Sequence, residues 1–172
     1  MEDAERLFRS YHEMLVRYLT RRLGDRDWAE EVAQETFVRA LRQERLTNER
    51  AWLFTVANNL VRDEARKDAR RRHRLALLRE ETRDAVVEPE PTSLERSQDA
   101  AMARTAVNAL AERDRLALLM REEGLNYEEI AQALHLSVGS VGTTLARARR
   151  RLVEQYESLR DAQRGREGHA AS

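Results

Sequence analysis

The sequence predicts an all-α protein: two small helical domains joined by an extended acidic linker, the second a helix-turn-helix domain. Three observations predict it. Turn formers are scarce, with six glycines and two prolines in 172 residues, while Ala, Leu, Arg and Glu abound. Apolar residues recur three and four positions apart through most of the chain. Both prolines, Pro89 and Pro91, fall in one acidic stretch where that period disappears.

The first helix is carried by Leu7, Phe8, Tyr11, Met14, Leu15, Tyr18, Leu19 and Leu23, and Gly24 stops it. Asp27 and Glu30 read as a capping box that opens a second helix running to about Gln43. Its apolar face is Val32, Ala33, Phe37, Ala40 and Leu41. Asn48 caps a third helix with Trp52, Leu53, Val56, Leu60 and Val61, and no breaker follows until about Arg79. Residues 80–97 form the linker. Helical pattern returns at Gln98 and stops at Gly124. Asn126 and Glu129 form a second capping-box pattern before Ile130, Ala131 and Leu134. His135-Leu-Ser137 is a tight turn, and Ser137 opens a last helix with Val138, Val141, Leu145, Ala148 and Leu152. The domains are therefore residues 1–79 and 98–158, and the polar residues 159–172 form a disordered tail.

Composition excludes several classes. There is no cysteine, hence no disulfide, thiol chemistry or cysteine-ligated zinc. The four histidines show no ligand spacing, and neither a metal nor another cofactor is expected. No apolar run reaches the roughly 20 residues that span a bilayer, so no membrane insertion and a cytoplasmic location are expected. Net charge is zero, yet it is distributed in blocks. Residues 62–79 hold eight basic and three acidic residues, a net of +5; residues 80–99 hold two and seven, a net of −5.

Three constellations carry functional information. Tyr127 to Leu152 has the helix-turn-helix pattern: a short capped helix, a three-residue turn and a longer helix. Ala131 permits a close helix crossing. The second helix is read as exposing Ser140, Thr143, Thr144, Arg147 and Arg149 to Arg151, where small polar groups enter a major groove and arginines reach phosphates or guanine edges. Next, Arg62, Arg66, Arg70 and Arg74 recur every four residues along one helix face, a like-charge row that suits a polyanion. Finally, Glu31, Gln34 and Glu35 share a helix face. Periodicity alone fits both an exposed acidic helix and a protein-docking face there. Acid–base chemistry by Glu31 and Glu35 lacks a nucleophile, a glycine loop or a metal set, so no enzyme is expected.

With these residues in view, the chain resembles the small extracytoplasmic-function sigma factors of bacterial RNA polymerase. Ala29-Glu-Glu-Val-Ala-Gln-Glu-Thr-Phe-Val-Arg-Ala-Leu41 is similar to their core-polymerase-binding helix. Ala51-Trp-Leu-Phe-Thr-Val-Ala-Asn-Asn-Leu-Val-Arg62 resembles their −10-reading helix, and Tyr127 to Leu152 their −35-reading helix-turn-helix. The resemblance implies that Glu31, Gln34 and Glu35 face the β′ subunit of core polymerase, whose β subunit is also a partner. It implies that Asn59 helps read a partly single-stranded −10 element and that Arg62, Arg66 and Arg70 hold nearby phosphates. Ser140, Thr143, Thr144 and Arg147 then contact the −35 duplex. An anti-sigma factor becomes a natural further partner, and the linker is placed along the polymerase channel. Gly142, Thr144 and Ala146 depart from the residues common at those positions, which leaves the −35 base preference open. The rival reading is a helix-turn-helix regulator that never binds polymerase, with Asp27 to Leu41 a plain surface helix.

Overall fold

A computed structural model describes residues 2–76 and 94–170. Among the described residues every regular element is an α-helix: α1 (Glu2–Leu23), α2 (Arg26–Leu41), α3 (Glu49–Ala76), α4 (Leu94–Asn108), α5 (Glu112–Glu122), α6 (Tyr127–Leu134) and α7 (Val138–Ala170). They group into two compact units. One holds α1, α2, α3, the end of α5 from Leu119, and α6. The other holds α4, α5 as far as Leu118, and α7 from Gly139.

In the first unit, α1 buries Leu7, Leu15, Tyr18 and Leu19, α2 buries Val32, Ala33 and Phe37, and α3 buries Ala51, Leu53, Phe54 and Ala57. These positions follow the helical period, so each helix turns one stripe inward. Each large side chain so buried contributes on the order of 1.5–3 kcal/mol. The Tyr18 and Phe54 rings meet tilted at 49° with centroids 4.9 Å apart. On α3 a polar group breaks the apolar stripe. Asn58 is 1% exposed, and its Oδ1 accepts from the Tyr18 hydroxyl at 2.8 Å and from Arg22 Nη1 at 2.7 Å.

The ends of these helices show how local chemistry sets them. Gly24 has φ +69°, which ends α1 at little cost because glycine has no Cβ to clash. Asp25 is then the N-cap of α2: its backbone is extended and its side chain accepts from Trp28 N at 3.1 Å. The cap lies two residues before the expected Asp27, which sits in the first turn instead. The pattern Asp-x-x-Glu names a capping box, but the chain is already helical when it reaches Asp27, because Gly24 turned it there. Asn48 caps α3 as expected, its Oδ1 accepting from Ala51 N at 3.1 Å. α3 then continues unbroken through the basic stretch to Ala76; residues 77–79 lie outside the described residues.

Asn126 caps α6, accepting from Glu129 N at 2.9 Å. His135 closes α6 in the left-handed region, at φ 55° and ψ 45°, and Leu136 N donates to Ala131 O at 2.9 Å. This is the expected turn, made with a histidine where glycine is commoner. α6 packs on α3, where Arg50 Nη2 donates to Glu129 Oε1 at 2.7 Å. Glu129, read from the sequence as half of a capping box, thus turns its buried carboxylate to another helix.

In the second unit Ala106, Leu110, Leu116 and Ala117 are buried, as are Val141, Leu145 and Ala148 of α7. Two expectations need correction. α4 starts at Leu94, four residues before Gln98, since nothing after Pro91 forbids helix; the linker's residues 80–93 lie outside the described residues. α7 runs on to Ala170, where a disordered tail from residue 159 was expected. Residues 153–164 are mostly good helix formers, and Gly165 and Gly168 cost about 1 kcal/mol each without breaking the ladder as proline would. Side chains also tie α7 to α4: Tyr156 to Asp99 at 3.4 Å and Gln163 to Gln98 at 3.1 Å.

The two adjacent asparagines of α3 give a contrast to test. Asn58→Ala removes the buried acceptor shared by the Tyr18 hydroxyl and the Arg22 guanidinium and is expected to cost about 1–3 kcal/mol. Asn59→Ala, at a half-buried position, should stay within roughly 0.5 kcal/mol. Urea unfolding followed by helical circular dichroism measures both, and equal stabilities would contradict the network.

Candidate functional site

The residues singled out from the sequence fall on three helix faces. On α2, Glu31, Gln34 and Glu35 are all exposed, while Val32, Ala33, Thr36 and Phe37 between them are buried. Glu35 pairs with Arg39 one turn on, at 2.8 Å. The same exposed face ends in apolar residues that sequence reading missed: Val38 is 42% and Leu41 62% exposed. Leu41 was expected in the core. It occupies the last helical position of α2, beyond the reach of the stripe that Phe37 and Ala40 bury. Beside it lies an apolar groove of about 400 Å³ lined by Ala4, Glu5, Leu7, Phe8, Phe37 and Leu41. Phe8 stacks on His12 there, with ring centroids 4.2 Å apart.

On α3, Arg62, Arg66 and Arg70 are exposed and Asn59 is half-buried. The spacing of three, four and four residues puts them in one row along the helix. Trp52 is half-buried. Trp28 Nε1 donates to Glu64, which fixes α2 against the start of the basic row.

On α7, Ser140 and Thr143 are exposed and Arg147 is partly so. Thr144 is not: at 4% exposure it shares the buried stripe with Val141, Leu145 and Ala148. The expectation that it faces outward is therefore corrected. Position 144 is three residues after Val141 and four before Ala148, and the helical period turns it inward. Arg149 and Arg150 are exposed. Arg147 is braced from within the unit. Its Nε donates to Asp114 Oδ2 at 3.0 Å and its Nη2 to Oδ1 at 2.6 Å. Asp114, in the first turn of α5, has a side chain only 1% exposed. The hydrogen bonds from Arg147 hold its carboxyl below the usual carboxylate range, against the opposing pull of burial. Sequence reading missed Asp114; an acidic residue 33 positions away carries no local signal of such a pair.

No described helix is long and apolar enough to cross a membrane, and no group of His, Asp or Glu among the described residues is placed to hold a metal ion. The faces are thus an acidic face with an apolar end, a row of arginines and a small polar face with arginines.

The chain is similar to known proteins over most of its length. The family model for Sigma-70 region 2 matches residues 7–71, and that for Sigma-70, region 4 matches residues 100–152. The chain is 29% identical over 168 residues to RNA polymerase sigma factor YlaC of Bacillus subtilis, across 95% of this chain and 97% of the relative. It is 31% identical over 150 residues to the ferric citrate uptake sigma factor FecI of Escherichia coli, across 84% of this chain and 85% of the relative. Its fold is similar to that of the sigma factor RpoE in a co-crystal structure with the anti-sigma factor NepR from Bartonella quintana. That match has a TM-score of 0.69 and 23% identity, and covers 91% of this chain and 98% of the other. The helical fold and the two family matches define a specificity subunit for transcription initiation. The chain belongs to the extracytoplasmic-function sigma factors of the sigma-70 family, alternative sigma factors that direct RNA polymerase to promoters.

The Asp114–Arg147 pair makes a prediction about acid. A carboxyl whose folded pKa is lowered adds stability that is present above its unfolded pKa and lost as pH falls through its folded one. Asp114→Asn should therefore lose stability at pH 7, while the loss shrinks as pH is lowered into the acid range. Thermal melts of the two proteins from pH 7 to pH 3 check this, and a constant gap across that range would contradict it.

Proposed function

We propose that this sigma factor divides its work among the three faces. Glu31, Gln34 and Glu35, continued by Val38 and Leu41, dock on core polymerase, chiefly on the β′ subunit. A charged face with an apolar end combines electrostatic steering with burial of apolar area. Asn59 reads the −10 element, and Arg62, Arg66 and Arg70 hold phosphates of DNA that is opening. Ser140, Thr143 and Arg147 meet the −35 duplex, with Arg149 and Arg150 beside them for phosphates. Residues 1–79 supply the polymerase and −10 faces, α7 supplies the −35 face, and residues 80–93 are the linker, which lies along the polymerase channel. The chain supplies binding and no catalysis: phosphodiester synthesis stays with the polymerase. It works in the cytoplasm, and an anti-sigma factor is its proposed negative regulator. RpoE of the similar structure is held by such a protein.

The observation that carries this reading is the division of α2. Its buried stripe is apolar apart from Thr36, and the residues the resemblance assigns to polymerase are the ones left exposed. Separate positions on one helix thus hold the core and present the face, so the face can be altered without loss of fold.

Glu31→Lys with Glu35→Lys should keep the helical spectrum and melting of the wild type while weakening capture of core polymerase, in the absence of DNA, by at least roughly tenfold, as expected for like-charge juxtaposition at an interface. Affinity is read by titrating labelled protein with core. Unchanged affinity in the folded double variant would move the docking face elsewhere.

A further inference from the structure

The pair between the buried Asp114 and the partly exposed Arg147 has a geometry that goes beyond holding helices together. Burying a carboxylate is unfavourable unless charge and hydrogen bonds compensate. Asp114 has both, with Arg147 forked onto it and Arg151 Nη1 3.6 Å from its Oδ2. Its place in the first turn of α5 adds the positive end of a helix. The carboxylate is thus a buried anchor, held ionised by its arginines.

What it fixes is a plane. A guanidinium has five N–H donors in a rigid fork. The side-on contact engages Nε–H and one N–H of Nη2, so three N–H groups remain on the edge away from Asp114. The Arg147 side chain is 37% exposed. It lies seven residues after Ser140 and four after Thr143, on the same face of α7. A free arginine must lose its rotamer freedom on binding, whereas one already held does not. Phosphate attraction needs only a nearby charge. Bidentate recognition of guanine O6 and N7 needs a guanidinium in a set plane. A fork held by a buried carboxylate is the arrangement that the second task demands and the first does not.

We propose that Asp114 is a positioning residue for promoter recognition: it sets the plane of the Arg147 guanidinium so that its free edge reads a guanine in the −35 duplex. This rests on the reading of α7 as the −35-binding helix. Asp114 itself touches no DNA and acts through Arg147.

The test uses holoenzyme reconstituted from the full chain and core polymerase, transcribing a library with a randomised −35 element. Sequencing of the transcribed templates gives the preference at every position. The wild type should show one position with a guanine preference that Arg147→Ala weakens by about five- to fifty-fold. Asp114→Asn should relax preference at that same position and leave the others unchanged, and the double variant should be no worse there than Arg147→Ala alone. Arg147→Lys keeps the charge beside the carboxylate but has no plane to set, so it should relax the same position; this arm stands even if Asp114→Asn does not fold. Wild-type preference in Asp114→Asn or in Arg147→Lys would overturn the proposal. So would an equal loss at all positions in Asp114→Asn, which marks a structural brace. A strong −35 preference that Arg147→Ala leaves intact would also overturn it while sparing the reading of α7; no −35 preference in the wild type would sink both.

Discussion

Everything in this molecule depends on a constraint of geometry: a helix in a small domain can bury only one stripe. α1, α2 and α3 each turn apolar residues inward at helical spacing, and what lies off the stripe faces water. The core of the first unit and the surface it presents are thus two sides of the same helices. Glu31 and Glu35 are exposed because Val32 and Thr36 beside them are buried. The constraint also explains the stray threonine of α7: the period that exposes Ser140 and Thr143 buries Thr144.

Charge is arranged by the same logic. The chain is neutral as a whole, but its charges do two kinds of work. Some are internal braces between distant segments: Arg17 with the nearly buried Glu123 at 3.0 Å, Arg50 with Glu129, and Arg147 with Asp114. In each of these an exposed or partly exposed arginine covers a carboxylate that the fold has taken out of water. Others, such as the row Arg62, Arg66 and Arg70, stand exposed along a helix. A row of like charges repels itself and suits a polyanion partner. Family membership then gives both kinds a context, since a sigma factor must bind both a protein and a promoter from one small chain.

The sequence was most legible where a signal is local. Helical class followed from apolar spacing and scarce turn formers. Asn48 and Asn126 were readable as caps because a cap bonds only three residues ahead. Exposure of Glu31, Gln34, Glu35, Arg62, Arg66 and Arg70 followed from the period. Legibility failed where two rules compete or where partners are far apart. Asp25 displaced Asp27 as the cap of α2 because Gly24 had already turned the chain. Leu41 came out of the core because its helix ends there. Residues beyond 158 continue α7 because their helix propensity outweighs two glycines. The contacts of Asn58 with Tyr18 and of Asp114 with Arg147 join residues 40 and 33 positions apart, which no periodicity reports.

The central claim is that three helix faces meet three separate targets on two partners, polymerase and promoter, at once, and photo-crosslinking in a promoter open complex tests it most directly. Crosslinkers replace Glu35 on α2, Lys67 on α3 and Thr143 on α7, one at a time, all at exposed positions. Position 35 should capture the β′ subunit, position 67 DNA at the −10 element and position 143 DNA at the −35 element. Capture of DNA from position 35, or of polymerase alone from positions 67 and 143, would contradict it.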